Sequence, residues 1–535
     1  MPIEWLEVLA YAVLVAPLAA ALFVAFGALL RAPRRALDVV TIALSTVSLL
    51  VSVALAAEWP DEFSLPFSIL GLNFYLDALS VYFLLVINLV AFFAAWYVPS
   101  YLARSVQQPA GDRAARFHAL FNLFHFTMVL APMIDNLVLL WMAVELTTLV
   151  STLLVRFRGD RRALEAAWKY LTITTTGVIL ALLGTVFLPV AVYAGTAGAA
   201  EQGLALNQDV MSWYHLLQQK PIEGEDLQNI VRLAFLFAVI GYGTKAGFAP
   251  MHTWLPDGHG EAPSPVSALL SGVLLKSALF PILRFYTLTN YLLEETGEGL
   301  KFTSGVLLGV GLFSLVVATP FILKRNRFKR LLAYHSLEHM GIIAFGLGLG
   351  APLAVFGALL HTLNHAVTKA LMFLAYGHTQ TLYARHLPTS VEPSDDEPLR
   401  GVLKAAPLHA ALLAIGGLAL VGSPPFNIFQ SEFIILWAGV TQATAKMPWL
   451  GLPIIVFLAT VVLIFGGLVV HLTRLLLGPA PFHLERESVR PLVPLVALVA
   501  LIVLFGFVIP AHPVNFPKLI HEGACIVLGQ TSCSP

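Results

Sequence analysis

His361, His365 and Lys369 stand four residues apart in the stretch His361-Thr362-Leu363-Asn364-His365-Ala366-Val367-Thr368-Lys369. On a helix that spacing stacks all three on one face, with Asn364 and Thr368 beside them. Histidine titrates near neutral pH, and desolvation draws a lysine towards the same range. A row of such groups can hand a proton along through intervening water. A histidine pair four apart also suits zinc. No carboxylate or cysteine completes that set locally, however, and a lysine in the row argues against it, so no metal ligands are expected.

Other charges stand in equally apolar surroundings. Lys245 closes the run Ala234-Phe235-Leu236-Phe237-Ala238-Val239-Ile240-Gly241-Tyr242-Gly243-Thr244. Glu145 follows Leu139-Leu140-Trp141-Met142-Ala143-Val144, Lys276 follows Gly272-Val273-Leu274-Leu275, and Glu432 lies in Gln430-Ser431-Glu432-Phe433-Ile434. A charge at membrane depth costs about 3 kcal/mol on insertion scales, and chains that keep one there generally use it. A lone lysine can instead snorkel or sit in a static ion pair, and for Lys276 that reading stays open. His335, Glu338 and His339 form a second titratable cluster. Their position near a helix start leaves an interfacial placement and a working one equally open.

These residues need helices to hold them. The chain has 535 residues, 58% hydrophobic and 12% charged, with a mean hydropathy of +0.81. A soluble chain carries about 25% charged residues. The composition predicts an all-α polytopic membrane protein, and the balanced charge gives no sign of nucleic-acid binding. At about 20 apolar residues per span, about fourteen transmembrane helices are expected. They lie near 7–30, 36–57, 78–102, 117–134, 137–155, 168–194, 229–249, 262–289, 303–323, 331–350, 352–379, 404–446 (one broken helix), 449–477 and 491–511. Arginines and lysines gather after odd-numbered spans, as in Arg156, Arg158, Arg161 and Arg162. The positive-inside rule then places both termini on the outer side of a bacterial inner membrane. Cys525 and Cys533, the two cysteines of the chain, fall on that side, where a disulfide and two free thiols are equally open readings.

Two spans are interrupted. Pro250 and Pro256 follow Lys245, and Gly422-Ser423-Pro424-Pro425 precedes Glu432. Paired interrupted helices in two halves of a chain point to inverted repeats around a midplane ion path. The expected organisation is three N-terminal helices (1–110) and a first five-helix repeat (117–290). A second repeat (303–477) and a last helix with an extracytoplasmic tail (478–535) follow. The seventh and twelfth helices would be the broken ones.

The string from Lys245-Ala246-Gly247-Phe248-Ala249-Pro250-Met251-His252-Thr253-Trp254-Leu255-Pro256-Asp257 through Gly258-His259-Gly260-Glu261-Ala262-Pro263-Ser264-Pro265-Val266-Ser267-Ala268 resembles the signature of the antiporter-like subunits of respiratory complex I, Mrp antiporters and membrane-bound hydrogenases. Asn73-Phe74-Tyr75-Leu76-Asp77 fits the same family's approach to its third span, and the resemblance covers roughly residues 70–480. Glu145-Leu146-Thr147-Thr148 and Ser431-Glu432-Phe433 look most similar to the F-type subunit of hydrogenase-4 and formate hydrogenlyase. A related branch couples such a subunit to inorganic-carbon uptake.

The resemblance implies roles. Glu145 matches the fifth-helix glutamate, Lys245 the seventh-helix lysine and Lys276 an eighth-helix lysine of some members. His361, His365 and Lys369 match the eleventh-helix row, and Glu432 the twelfth-helix terminal group. It implies that pairing of Glu145 with Lys245 acts as a switch, with the proton passing towards Glu432. The chain carries no nucleotide, flavin or cluster motif, so no cofactor is expected and the driving force must come from partner membrane subunits or from the proton gradient. The competing reading is a proton- or Na⁺-coupled transport module without redox chemistry, such as Mrp-type antiport or the energising of carbon uptake.

Overall fold

The computed structural model describes residues 3–105, 111–194, 210–294, 299–324, 327–386, 399–445, 447–480, 490–509, 512 and 514–530. Helices dominate, because inside a bilayer each segment must satisfy its own backbone. In chain order they are α1 (Ile3–Leu29), α2 (Arg34–Ala57), α3 (Ala78–Ser105), α4 (Gly111–Leu130), α5 (Leu137–Val155), α6 (Arg161–Ala194), α7 (Glu225–Ala246) and α8 (Leu255–Glu261). There follow α9 (Ser264–Leu292), α10 (Gly299–Leu323), α11 (Phe328–Gly348), α12 (Pro352–His386), α13 (Pro407–Leu420), α14 (Asn427–Ala445), α15 (Gly451–Leu476), α16 (Val493–Phe507) and α17 (Phe516–Leu528).

Among the described residues nine helices are long and apolar enough to cross a membrane, and α13 and α16 are shorter apolar helices. Both α11 and α12 have spanning length too, but they carry the buried histidines and Lys369. At the centre, α12 packs against α3, α9, α11, α13, α14, α16 and α17.

Both expected interruptions are present. Helix α7 stops at Gly247, in the left-handed region at φ 85°, and the Phe248 amide closes back on the Gly243 carbonyl at 2.9 Å. Freed groups find partners, as an apolar setting demands. The Trp254 indole donates to the Thr244 carbonyl at 2.8 Å, and the Ala249 amide donates to Ser314 Oγ at 3.0 Å. The second interruption separates α13 from α14, around Gly422 at φ 65°. Small residues let neighbouring helices approach closely. A Cβ on Gly241 would strike Ala181 of α6, and one on Gly311 of α10 would strike Phe345 of α11.

Two features depart from the expected layout. Between α2 and α3 the chain forms an antiparallel hairpin, β1 (Leu65–Ile69) and β2 (Leu72–Leu76), with Ile69 opposite Leu72. Leu70 and Gly71 both have positive φ, the requirement of a two-residue primed turn. The region expected as a plain tail contains the amphipathic helix α17, which packs on α3, α9 and α12. Cys525 on α17 is disulfide-bonded, and Cys533 lies outside the described residues.

The hairpin delivers Asp77 to the start of α3. Its two carboxylate oxygens accept from Arg284 of α9 at 2.6 and 2.8 Å. Arg284 also donates to Ser80 Oγ at 2.9 Å and lies 3.9 Å from the Trp213 ring centroid. This pair is almost fully buried.

Candidate functional site

Asn136 starts α5 by accepting from the amides of Val138 and Leu139 at 2.9 and 3.0 Å. Two turns on, that helix presents Glu145. Lys245 reaches it from the last turn of α7 and is fully buried. The two do not pair directly. Lys245 Nζ donates to the Val144 carbonyl and to Thr148 Oγ1, and Thr148 donates onward to Glu145 Oε2 at 3.4 Å. The other Glu145 oxygen accepts from Thr175 of α6 at 2.7 Å. Thr148 therefore stands between the two charges. On its far side Glu145 borders a 390 Å³ apolar cavity lined by Phe74, Leu130, Trp141 and Leu149.

Lys276 follows a π-helical turn, Leu270–Leu274, a local widening often found at working sites. The turn leaves the Ser271 carbonyl free to accept from Lys276 Nζ at 2.8 Å. The same ammonium meets His365 Nδ1 at 2.6 Å. Lys276 is thus joined to the α12 row, and the snorkelling alternative is excluded by its complete burial.

The α12 residues do not form the simple column that their spacing predicts. His361 and His365 have ring centroids 6.4 Å apart. His339 of α11 bridges them, at 5.1 Å from His361 and 4.6 Å from His365. His339 Nδ1 hydrogen-bonds His361 Nε2 at 3.0 Å, and His361 Nδ1 meets Ser431 Oγ on α14 at 3.0 Å. Lys369 turns elsewhere and donates to the Leu332 carbonyl. Asn364 and Asn427 exchange side-chain-to-carbonyl bonds at 2.7 and 3.1 Å, which fastens α12 to the start of α14.

His335, Glu338 and His339 are all buried, and His335 Nδ1 meets Glu338 Oε2 at 2.7 Å. Glu432, 9% exposed, packs against Gly422 at the helix break, where a Cβ would collide with its carboxylate. The ligand atoms of His339, His361 and Glu432 lie within 4.8 Å of one another, as do those of His335, Glu338 and His339. The carboxylate that local sequence did not offer to the histidines is brought there by the fold. Both sets have the nitrogen–oxygen chemistry that zinc accepts.

Buried contacts therefore run from Lys276 through His365, His339 and His361 to Ser431, with Glu432 adjoining. Lys245 and Glu145 form a separate group, and no side-chain hydrogen bond among the described residues joins it to Lys276. Sequence reasoning missed His339 as the hub, Thr148 as the bridge and the Asp77–Arg284 pair. An arginine amid Ala278-Leu279-Phe280-Pro281-Ile282-Leu283 is a signal that could have found the last.

Residues 135–469 match the family described as NADH:quinone oxidoreductase/Mrp antiporter, TM. The chain is 35% identical over 412 residues to a protein named hydrogenase-4 component F homolog from Methylacidiphilum infernorum, covering 76% of this chain and 80% of that one. Among solved structures, a chain of the membrane-bound sulfane sulfur reductase, an archaeal respiratory membrane complex, superposes with a TM-score of 0.75 at 21% identity, covering 98% of both. A chain of the Mrp complex from Dietzia sp. DQ12-45-1b gives 0.75 at 17% identity, covering 98% of this chain and 97% of that one.

Proposed function

This chain belongs to the NADH:quinone oxidoreductase/Mrp antiporter transmembrane family of proton-translocating membrane subunits, and on that premise we propose that it moves protons along the row from Lys245 to Glu432. The observation that carries this reading is the buried series Lys276–His365–His339–His361–Ser431, which draws on α9, α11, α12 and α14. Each imidazole in it can gain a proton at one nitrogen and lose one at the other.

Glu145 and Lys245 form the control. Lys245, held by Thr148 and the Val144 carbonyl, is one short movement from Glu145. Pairing with the carboxylate favours the ammonium, and separation favours release of its proton towards Lys276. Lys369 and the His335–Glu338 pair flank the row, and Glu432, beside the second break, is its outlet. The energy comes from partner subunits or from the proton gradient.

The architecture that suits this mechanism has about fourteen spans in two inverted repeats, 117–290 and 303–477. Both termini would face the periplasm of a bacterial inner membrane, and the breaks after Lys245 and before Glu432 would sit at midplane depth. A second reading, proton- or Na⁺-coupled transport without redox chemistry, draws support from the equally good superposition on the Mrp chain.

The test is proton flux in liposomes carrying the protein with its native partners. Lys245→Ala is expected to abolish coupled proton movement while the complex still assembles. Parental flux from that variant would sink the reading. Replacing Na⁺ by an impermeant cation separates the two alternatives, and the partners recovered with the native protein identify the driving reaction.

A further inference from the structure

Outside the row, α2 turns a polar face inward. Thr41, Ser45, Ser48 and Ser52 are buried at alternating spacings of four and three, one face of a helix, while Val39, Val47 and Leu50 are exposed. Facing them, α4 buries His118, Asn122 and His125, and α3 buries Asn88. Polar side chains at such depth either hold helices together or carry something.

Their hydrogen bonds form two segments. In the first, His118 Nε2 meets Asp38 Oδ1 at 2.9 Å and His118 Nδ1 meets Thr41 Oγ1 at 2.9 Å. Asn122 Nδ2 donates to the same Thr41 oxygen at 2.9 Å. Arg34 flanks Asp38 at 3.8 Å. In the second, Asn88 Oδ1 accepts from Ser48 at 2.6 Å and from His125 Nε2 at 2.7 Å, and Asn88 Nδ2 donates to Ser52 Oγ at 2.7 Å. Since Asn88 Oδ1 can only accept, His125 carries its proton on Nε2, and Nδ1 presents a lone pair.

Between the segments, three buried atoms lack a partner: Ser45 Oγ, Asn122 Oδ1 and His125 Nδ1. Ser45 lies between Thr41 of the first segment and Ser48 of the second. Asn122 and His125 share a face of α4. A single water within reach of all three would accept from the serine hydroxyl and donate to the amide oxygen and the imidazole nitrogen. Three bonds is the usual complement of a buried water.

We propose that this water joins the two segments into one column through α2, α3 and α4, and that His125 is a protonatable store within it, separate from the Lys245–Glu432 row. An excess proton on the water passes to His125 Nδ1. One O–H bond of the hydronium breaks, an N–H bond forms, a neutral water remains, and Nε2–H stays on Asn88. An amide does not relay protons readily, so Asn88 closes the column at that end. The store's role in flux rests on the proton-moving function proposed above.

The experiment uses the protein assembled with its native partners. A cryo-EM map fine enough to show waters has density within hydrogen-bond reach of Ser45 Oγ, Asn122 Oδ1 and His125 Nδ1; a map of that quality without it overturns the water site. Infrared difference spectra between acid and alkaline pH, with isotope-labelled histidine, lose one imidazole signal in His125→Gln. An unchanged difference spectrum overturns the store. Glutamine still donates to Asn88, so a merely structural histidine would be rescued, whereas a store predicts flux reduced severalfold in His125→Gln and in the milder Ser45→Ala. Parental flux in both variants overturns the functional claim. A parent protein that moves no protons defeats the family-based reading instead, and the density and the imidazole signal still decide the water and the store.

Discussion

The two charged groups of the molecule are built on different principles. Around Lys245, charges are kept apart by hydroxyls: Thr148 stands between the lysine and Glu145, and Thr175 holds the carboxylate's other oxygen. Glu145 is only half-buried and borders an apolar cavity. Around His339, imidazoles meet directly, without exposure, and link three helices. A carboxylate–lysine pair bridged by a hydroxyl is suited to switching between two arrangements. A histidine cluster is suited to passing a proton without rearrangement. On the proposed mechanism, the difference separates control from conduction along the chain.

Breaking the conducting side has the largest expected effect. His339→Leu removes the only imidazole that bridges His361 and His365 among the described residues. Proton flux should fall roughly a hundredfold, the scale of a lost acid–base group, with assembly intact. Flux within twofold of the parent would mean that protons bypass the hub.

Next comes the clamp that positions α9. Asp77→Asn leaves the Arg284 guanidinium buried without its counter-charge, and such losses cost about 3–5 kcal/mol. Complex recovered after detergent extraction should drop sharply, and the double variant Asp77→Leu with Arg284→Leu should be milder than either single change. Additive losses would show that the two residues are not coupled.

The controlling side should respond more gently. Thr148→Val deletes both bonds of the bridging hydroxyl, about 2 kcal/mol in all or roughly thirtyfold in rate. Thr148→Ser should restore flux, and a serine variant as slow as the valine one would show that packing rather than the hydroxyl matters.

The smallest effect concerns α17. Burial pushes the Glu522 carboxyl up from 4.5 to about 7. An acid whose value is raised on docking favours the docked helix most at low pH. Docking is strongest below about 4.5, weakens as the pH climbs to about 7 and is level beyond. Hydrogen exchange across Phe516–Leu528 should quicken over that window, and Glu522→Gln should flatten the response.

Much of this was legible in the sequence, because isolated charges in apolar helices and proline-marked breaks are local signals. Lys245, Lys276 and Glu432 announced themselves that way. The His339–His361 contact did not, because it joins two helices with no shared periodicity. Asp77 and Arg284 are 207 residues apart, so only the fold could pair them. The hairpin hid because its turn, Leu70-Gly71, lacks the asparagine or aspartate that usually signals one. α17 hid because it has only 13 residues, too few to register as a span.

Asp77 and Arg284 also fix how Lys276 can move. Arg284 lies eight residues beyond it, about 12 Å along α9, and pins the C-terminal part of that rod. A rod anchored at one end yields where its regular hydrogen bonding is interrupted, and in α9 that is the π-helical turn, Leu270–Leu274. Displacement at the Ser264 end would then be absorbed as torsion in that turn, leaving Lys276, on the anchored side of it, in place against His365.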